Sequence, residues 1–211
     1  MCCSVLTGSS CSGKSTAASA CGQLEQLAIH DSDEHGVPSD ADAAWRQQDL
    51  ERWVQHAIDY ERDQADLLLT GQSPLGELLA TPSAPRLQAA AVCLLDVRDR
   101  ERWWRLEGRD PGAWSRDEVR SFISWAHWHR GHAADPQYRP EVITSGSWPE
   151  MHWDRWAGWT AADPRWQTST IDTTGRDIHD TAMDLRHWVD TTRRGRHRDA
   201  LPITRGWDQQ T

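Results

Sequence analysis

The residue types best suited to catalysis lie together near the start of the chain. Residues 8–15 read GSSCSGKS, with glycines at the first and sixth positions, then lysine, then serine. This pattern is typical of a loop whose backbone N–H groups and lysine ammonium bind the phosphates of a nucleotide. The hydroxyl that follows the lysine binds Mg²⁺ in such loops. The stretch therefore predicts a nucleotide-phosphate site with a metal ligand.

Lysine usage singles out the same stretch. The chain has 23 lysine and arginine residues, and Lys14 is the single lysine among them. An arginine bias that gives way at one position indicates that a compact ammonium on a flexible stem is needed there. We therefore expect Lys14 to act in catalysis as well as in binding. The nucleotide-binding residues predicted in the loop are Gly8, Ser9, Ser10, Cys11, Ser12, Gly13, Lys14, Ser15 and Thr16, with Ser15 also a metal ligand.

Carboxylates follow a second strand-like run, in the segment DSDE at residues 31–34. In a parallel sheet this position lies at the edge where ligands bind. A carboxylate beside a bound phosphate can accept the proton of an attacking hydroxyl or help to hold Mg²⁺. We expect Asp33 to be the catalytic base and a metal ligand. Asp31, on the same face of a continuing strand, is expected to support it, and a solvated acidic turn is the alternative.

Five arginines follow a fourth strand-like run, at positions 98, 100, 102, 105 and 109. Helical spacing places Arg102 and Arg105 on one face, with Arg109 one turn further on. Arginines carried by a lid can neutralise the charge that develops during phosphoryl transfer. Arg102 and Arg105 are therefore predicted to be catalytic, and Arg109 to contact the nucleotide. A solvated helix face, paired with neighbouring acids, is the alternative.

Two further turns carry polar groups. Gln72 follows a third strand, where an acidic Mg²⁺ ligand is common in phosphate-loop proteins, and it is a candidate to orient a water or a substrate hydroxyl. Thr173 and Thr174 lie in the turn after the last strand, where a polar turn can flank the nucleotide base. For both turns the alternative is an ordinary strand-ending turn.

Three histidines lie close together at positions 127, 129 and 132, with Trp125 just before them and Trp128 among them. Their spacings of two and three do not place all three imidazoles on one helix face, so a metal site is not expected. A surface helix is the favoured interpretation. One of the three imidazoles is also a candidate to line an acceptor pocket.

The elements that must position these groups are short apolar runs alternating with helical patterns. They predict strands at residues 2–7, 27–31, 66–70, 89–96 and 168–171, and helices at 14–23, 40–63, 75–79, 100–107, 115–130 and 178–189. Such alternation indicates an α/β fold with helices on both faces of a parallel sheet. Residues 98–165 contain no strand, so we expect a lid and a substrate cap there. One domain is predicted over residues 1–192, followed by a basic tail at 193–211.

Four segments in order resemble the P-loop kinases that phosphorylate small molecules, the group of shikimate, gluconate and adenylyl-sulfate kinases and chloramphenicol phosphotransferases. They are GSSCSGKS, DSDE, RDRERWWRLEGR at 98–109 and IDTTG at 171–175. The resemblance implies a three-layer P-loop NTPase fold with five parallel strands in the order 2-3-1-4-5. It also implies ATP and Mg²⁺ as cofactors and a small-molecule acceptor with a hydroxyl. The acid that acts on this hydroxyl corresponds to Asp33 or Asp31, and the lid arginines near the adenine to Arg102, Arg105 and Arg109.

Charge and composition limit the partners. The net charge is −9, and the tail carries five arginines against Asp199 and Asp208, so the rest of the chain is strongly acidic. An acidic body argues against binding to nucleic acid or to an anionic membrane. The tail is either a docking arm or a frayed terminus. The 14 tryptophans are expected mainly to fill the core, although some of the later ones are candidates to stack on a ring-containing ligand.

The compartment is expected to be the cytoplasm. No apolar run approaches the roughly 20 residues of a membrane span. The first strand-like run begins directly after Met1, which leaves no room for a signal peptide.

Two other functions remain open on the sequence. One is a nucleotide-dependent switch or NTPase that acts on a protein partner through the tryptophan-rich region or the tail. The other is a kinase acting on nucleic-acid ends or tRNA, which the acidic body disfavours and only the tail supports. The oligomeric state is not predicted.

Overall fold

Five short apolar runs form a parallel sheet in the computed structural model, which describes residues 2–196, 198 and 200–209. The strands are β1 Cys3–Thr7, β2 Leu27–Asp31, β3 Asp66–Thr70, β4 Ala89–Asp96 and β5 Thr168–Asp172. They lie in the order β2-β3-β1-β4-β5, and each neighbouring pair is parallel. The predicted α/β sheet and its strand order are therefore confirmed. The carboxyl ends of all five strands meet at one edge.

A sixth strand joins the sheet from the carboxyl-terminal segment. Ile203–Thr204 (β6) runs antiparallel to the beginning of β4, where Ile203 faces Ala90. Two residues are too few to show the alternation by which a strand is recognised in a sequence. The pattern therefore did not predict β6.

Helices connect the strands and cover both faces of the sheet. They are α1 Lys14–Ala18, α2 Ala43–Arg62, α3 Leu75–Ala80, α4 Asp99–Arg109, α5 Arg116–Ala134, α6 Glu141–Thr144 and α7 Ile178–Arg196. The first helix is shorter than predicted because residues 19–21 form a 3-10 turn, in which the Ser19 hydroxyl donates to the Thr16 carbonyl. The start of α5 agrees with its sequence signature, since Ser115 and Glu118 form a capping box.

Alternating strand residues divide the core between the two faces of the sheet. One face buries Val5, Leu69 and Val92 against α2, α3 and several tryptophans. The opposite face buries Leu6 and Leu95 against α1 and α7. None of the described helices combines the length and apolar character that spanning a membrane requires.

The tryptophan-rich region packs into this core, and most of it does not form a separate cap. Trp156, Trp159 and Trp166 are buried in the cluster that also contains Trp128. Trp156 and Trp166 each donate the indole N–H to a backbone carbonyl, so their polar atoms are satisfied as well. The expectation that tryptophans fill the core is correct for these residues. Over these residues, the segment expected to contain a substrate cap packs into the core of the domain.

The carboxyl-terminal segment also packs onto the domain where the structure describes it. Arg193 Nε and Arg196 Nη1 each lie 2.7 Å from an oxygen of the buried Asp66 carboxylate. Trp207 is 1% exposed. The boundary predicted after residue 192 falls inside α7, so the basic tail is neither a free arm nor a frayed end over these residues. Asp199, part of the predicted charge balance, lies outside the described residues.

Two histidines of α5 are buried among tryptophans, contrary to the surface helix that the sequence favoured. His132 stacks on Trp128 with ring centroids 4.7 Å apart, and His129 lies one turn earlier on the same inner face. His127 is exposed and contacts Asp99 at 2.7 Å. Trp128 belongs to the core and Trp125 packs against it, so this face of α5 buries two of the three imidazoles.

This burial predicts acid sensitivity of the fold. Burial lowers the pKa of His129 to about 3 and that of His132 to about 4. Both imidazoles stay neutral in the folded protein, whereas the unfolded chain takes up protons below pH ~6.5. The free energy of unfolding should therefore fall by about 1.4 kcal/mol per histidine for each pH unit below 6.5. Urea unfolding between pH 7.5 and 5 measures this loss.

The variant His132→Leu isolates one of the two contributions. It should reduce the acid-dependent loss by about 1.4 kcal/mol per pH unit relative to the parent protein. His187, which is exposed on α7, offers a matched control, and His187→Leu should leave the pH dependence as it was. Equal pH dependence in the parent and in His132→Leu would show that His132 does not contribute.

Candidate active site

The glycine-rich loop connects the end of β1 to the start of α1, as its sequence predicts. Gly8 has a φ of 148° and approaches the neighbouring strand so closely that an added Cβ would lie 2.3 Å from the Leu95 carbonyl oxygen. Gly13 has a φ of 97° immediately before the helix begins. Both glycines are therefore required by the path of the backbone.

The carbonyl oxygens of the loop are bound by the protein itself. Lys14 Nζ donates to the Gly8 oxygen at 2.7 Å, and Arg102 Nη1 donates to the Ser10 oxygen at 2.6 Å. The Ser12 oxygen accepts from the Thr173 hydroxyl at 3.2 Å. Because C=O and N–H point to opposite sides of a trans peptide, fixing the carbonyls on the protein side turns amide N–H groups toward the other side. An anion-binding surface results.

A cavity of about 1070 Å³ lies on that side of the loop. Most of the residues predicted for the nucleotide line it, including Arg105, Arg109 and Thr173. The loop residues that line it are Ser10, Cys11, Ser12, Gly13, Lys14, Ser15 and Thr16. Gly8 and Ser9 are outside the described lining. The Ser9 hydroxyl donates instead to the Phe122 carbonyl at 2.7 Å and so ties the loop to α5.

Asp31 makes direct contact with the residue predicted to bind the metal. Its Oδ2 accepts from the Ser15 hydroxyl at 3.1 Å and from the Thr70 hydroxyl at 2.6 Å. Ser15, Asp31 and Thr70 come from α1, β2 and β3, so the hydrogen bonds join three neighbouring elements at the carboxyl edge. Oxygen donors of this kind suit Mg²⁺. This set brings Asp31, more closely than Asp33, to the predicted metal ligand Ser15.

Asp33 also lines the cavity, but not by continuing the strand as the sequence suggested. β2 ends at Asp31, and residues 32–35 form a 3-10 turn in which the Asp31 carboxylate accepts from the backbone N–H of Asp33. Partial burial and the neighbouring Asp31 charge raise the pKa of the Asp33 carboxyl. Both carboxylates thus line one cavity.

Arg102 lies behind the loop and outside the cavity lining, which differs from the predicted lid clamp. Its side chain is 0% exposed and donates to the Asp96 carboxylate at 2.9 Å as well as to Ser10. Asp96 also pairs with Arg130 at 2.9 Å. Nη1 and Nη2 of the guanidinium therefore fix the loop to the end of β4, whereas the buried Nε has no hydrogen-bond partner among the described residues. In this arrangement Arg102 positions the loop and does not contact a phosphate in the cavity.

Arg105 and Arg109 lie at the cavity itself. Arg105 is held by the Thr173 hydroxyl at 2.9 Å, by the Thr173 carbonyl at 2.7 Å and by Glu101 at 2.6 Å. Arg109 is exposed, and its guanidinium lies 5.9 Å from the centre of the Trp114 ring. Arg109 Nε donates to the Asp110 carboxylate at 2.7 Å. Of the two arginines, Arg105 is the one held by contacts to the cavity wall.

The turn after β5 contributes one of its two predicted threonines. Thr173 is buried in the cavity wall, whereas the Thr174 hydroxyl accepts from the Arg98 backbone N–H at 2.9 Å and lies outside the lining. The start of α7 supplies lining residues that sequence reasoning missed. These are Arg176, Asp177, Ile178, His179 and Thr181, together with Glu101 from α4. Residues 176–181 follow the IDTTG turn directly, and this position in the sequence could have indicated that they reach the cavity.

A second, smaller cleft adjoins the cavity. Its volume is about 200 Å³, and it shares Ser32, Asp33 and Gln72 with the large cavity. The remaining lining comes mainly from the loop before α2 and from the first turns of that helix. Asp33 and Gln72 therefore stand between two spaces of unequal size at the same edge of the sheet.

Metal-binding side chains do not cluster elsewhere in the described residues. No group of three or more His, Cys, Asp or Glu side chains there is arranged to hold a metal ion. His129 Nε2 lies 3.3 Å from the Thr7 hydroxyl, directly before the loop, and is buried.

Solved structures provide an independent comparison. A sugar kinase from a Janibacter species superimposes with a TM-score of 0.55 and 13% sequence identity, covering 89% of this chain and 93% of that one. The chain has the P-loop NTPase fold. A kinase candidate from Chloroflexus aurantiacus gives a TM-score of 0.50 at 13% identity, covering 90% of this chain and 97% of that one. Neither a scan against protein-family models nor a search of curated proteins finds a match.

These likenesses extend over nearly the whole chain of each neighbour. The P-loop of the present fold is the segment 8–15, and the large cavity lies at the carboxyl edge of the strands, where ligands bind in open α/β sheets. At 13% identity the comparison establishes the fold only. Chemistry has to be argued from the residues at the cavity.

Proposed function

We propose that the protein is an ATP- and Mg²⁺-dependent kinase that transfers the γ-phosphoryl group to a hydroxyl of a small molecule. The observation that carries this proposal is the pair of adjoining spaces at the P-loop. One has the size and lining for a nucleotide, the other has about 200 Å³, and Asp33 borders both. A phosphoryl transfer enzyme needs two such sites that meet at the transferred group.

The P-loop supplies the phosphate-binding half of the site. Its carbonyls are bound from behind, so its amide N–H groups and the N-terminus of α1 face a phosphate in the cavity. In the free protein Lys14 Nζ donates to the Gly8 oxygen at 2.7 Å and the Ser9 oxygen at 3.4 Å. A bound polyphosphate offers charged acceptors in place of these neutral ones. Lys14 would then bridge the β- and γ-phosphates.

The oxygen donors beside the P-loop fit Mg²⁺. The Ser15 hydroxyl and the Asp31 carboxylate lie within hydrogen-bond distance of each other, and Mg²⁺ prefers such oxygen ligands together with phosphate oxygens. Bound Mg²⁺ would neutralise charge on the β- and γ-phosphates. We assign Ser15 and Asp31 to hold it and leave Asp33 free for the acceptor.

Asp33 is the proposed base. It lies where the two spaces meet, and its raised pKa reflects burial beside the Asp31 charge. In the reaction a bond forms between the acceptor oxygen and the γ-phosphorus, while the bond from that phosphorus to the β,γ-bridging oxygen breaks. The hydroxyl proton passes to Asp33, and ADP leaves. Gln72, which borders both spaces, is placed to orient the hydroxyl.

Two of the predicted arginines are assigned to the phosphates. Arg105 is held in place at the cavity wall by Thr173 and Glu101, so its charge is available without reorganisation. Arg109 lines the cavity at the end of α4 and is paired there with Asp110. It would contact the nucleotide by exchanging this partner for a phosphate. Arg102 acts indirectly, by holding the Ser10 carbonyl and thereby the P-loop.

The test is label transfer from γ-³²P-ATP with Mg²⁺ to a small-molecule metabolite extract. A labelled metabolite formed by the parent protein and not by Lys14→Ala is the expected result. Free phosphate as the sole labelled product, released faster when a protein partner is added, would support a nucleotide-dependent switch instead. Nothing in the structure specifically favours the switch or the nucleic-acid kinase, since Arg193 and Arg196, two arginines of the basic tail, are ion-paired with Asp66.

The charge of Lys14 predicts how nucleotide binding depends on pH. Burial lowers the pKa of the Lys14 ammonium to about 8, and the nearby Arg102 charge acts in the same direction, while Asp31 opposes it. Below pH 8 the ammonium is charged and ready for phosphate. Above pH 8 binding must also take up a proton, so the nucleotide Kd should rise by up to about tenfold per pH unit. A fluorescence titration of the protein with nucleotide, repeated from pH 7 to 9.5, measures this rise in Kd.

The variant Lys14→Arg is the matched control for this pH dependence. A guanidinium stays charged throughout the range, so the variant should bind more weakly but with a flat profile between pH 7 and 9.5. If the parent protein and Lys14→Arg lose affinity in parallel, a group other than Lys14 is titrating.

A further inference from the structure

Helix α5 supports the P-loop without entering the large cavity. The Ser9 hydroxyl donates to the Phe122 carbonyl at 2.7 Å, and His129 Nε2 lies 3.3 Å from the Thr7 hydroxyl, directly before the loop. Positions 122 and 129 are about two helical turns apart, so both contacts come from the same face of the helix. The structure describes every residue of α5, and none of them lines the cavity. One face of α5 therefore holds the loop from outside the cavity.

A third connection from α5 to the P-loop runs through Asp96 at the end of β4. Arg130 Nη1 donates to Asp96 Oδ2 at 2.9 Å, and Arg102 Nη2 donates to Asp96 Oδ1 at 2.9 Å. Arg102 Nη1 donates in turn to the Ser10 carbonyl at 2.6 Å. Arg130 is therefore joined to the backbone of the P-loop by three consecutive hydrogen bonds.

The orientation of Arg102 depends on the Asp96 carboxylate. The Arg102 side chain is 0% exposed, and its Nε has no hydrogen-bond partner among the described residues. Asp96 is held at both oxygens, each by a different guanidinium, so it cannot rotate without breaking a charge-assisted hydrogen bond. Without Arg130, Oδ2 would lose its donor, and the bond from Arg102 alone would orient the carboxylate.

The Ser10 carbonyl determines where the next amide group points. In a trans peptide the C=O of Ser10 and the N–H of Cys11 point in opposite directions. Because Arg102 holds the carbonyl on the protein side, the Cys11 N–H is turned toward the cavity, which Cys11 lines. Cys11 has a φ of 60°, in the left-handed region that is uncommon for residues other than glycine. Such a conformation persists only when surrounding contacts impose it.

We propose that Arg130 is a positioning residue for nucleotide binding, which acts through Asp96 and Arg102 to keep the Cys11 N–H directed at the bound phosphates. This inference rests on the proposed function, because it requires a nucleotide at the P-loop. Arg130 lines neither the large cavity nor the small cleft, so it does not touch the nucleotide or the acceptor. Its replacement should therefore weaken phosphate binding while removing no side chain that lines the cavity.

Replacing Arg130 by methionine tests this role. Methionine keeps the apolar stem of the side chain but cannot donate to Asp96. The Kd for ATP in the presence of Mg²⁺, measured by fluorescence titration, should rise about 10-fold, as is typical when a group that orients a binding residue is lost. Arg130→Lys keeps the positive charge without the planar fork, so its Kd should fall between those of the parent protein and Arg130→Met. Circular dichroism of both variants should match that of the parent.

Asp99→Ala is the control that separates positioning from a structural role. Arg130 Nη2 donates to Asp99 Oδ1 at 3.0 Å, a contact that joins α5 to the start of α4 and does not include the P-loop. Asp99→Ala removes this contact and leaves Asp96 paired with both guanidiniums, so its Kd for ATP should equal that of the parent. If Arg130 only joined the two helices, Asp99→Ala would raise the Kd as much as Arg130→Met does, and the proposal would be wrong.

The outcomes distinguish failure of this inference from failure of the proposed function. A parental Kd in Arg130→Met, or in Arg130→Lys if the methionine variant does not fold, overturns the positioning role and leaves the kinase in place. Arg130-dependent binding of ATP without transfer of label to any small molecule overturns the kinase and supports the positioning role. If the parent protein binds no ATP in the presence of Mg²⁺, the nucleotide site and this inference fail together.

Discussion

Replacing Lys14 by alanine is expected to reduce phosphoryl transfer by at least about 1000-fold. Lys14 is the lysine of the P-loop, and its ammonium reaches the Gly8 and Ser9 carbonyls. Its charge would act in a partly enclosed site where electrostatic stabilisation of a transition state is strong. Label transfer from γ-³²P-ATP measures the loss.

The fold should survive this substitution, because the other contacts of the P-loop remain. Arg102 and Thr173 still bind the Ser10 and Ser12 carbonyls, and Gly8 still packs against Leu95. Circular dichroism and the urea unfolding midpoint of Lys14→Ala should therefore match those of the parent protein. If a folded Lys14→Ala protein transferred phosphate at a rate within tenfold of the parent rate, the proposed role of the P-loop in the reaction would be wrong.

The fold could be predicted well because its signals are local. Strands β2, β3 and β4 begin and end where their apolar runs do, and the P-loop pattern identified the turn between β1 and α1. Parallel order then follows from alternation with helices. The residues from 193 onward were misjudged, since ion pairs from Arg193 and Arg196 to Asp66 join residues more than 120 positions apart. No local pattern encodes such a contact.

The site was predictable at the level of elements and less so at the level of side chains. Asp31, Asp33, Arg102 and Arg105 all lie at the carboxyl edge, as the ends of their elements require. Which of them face the cavity depends on tertiary contacts. Arg102 turns inward because Asp96 and the Ser10 carbonyl accept hydrogen bonds from its guanidinium. The spacing of the arginines does not show that Arg105 faces the cavity and Arg102 does not.

Replacing Asp33 by asparagine is expected to reduce transfer by about 1000-fold or more, with nucleotide affinity nearly unchanged. Asparagine keeps the size of the side chain but cannot accept the hydroxyl proton. Asp33 borders both the large cavity and the small cleft, and no described hydrogen bond joins it to Ser15. Single-turnover label transfer and a nucleotide titration in Mg²⁺ measure the two quantities separately.

Asp31→Asn is the matched comparison that distinguishes a metal ligand from a base. The Asp31 carboxylate touches Ser15 and Thr70, so its loss should weaken Mg²⁺-dependent nucleotide binding as well as transfer. A base and a metal ligand thus differ in which measurement responds. If Asp33→Asn loses Mg²⁺-dependent binding while Asp31→Asn retains it, the two assignments are reversed. In that case Asp33, on the 3-10 turn, binds the metal, and Asp31, at the end of β2, is the base for the acceptor hydroxyl.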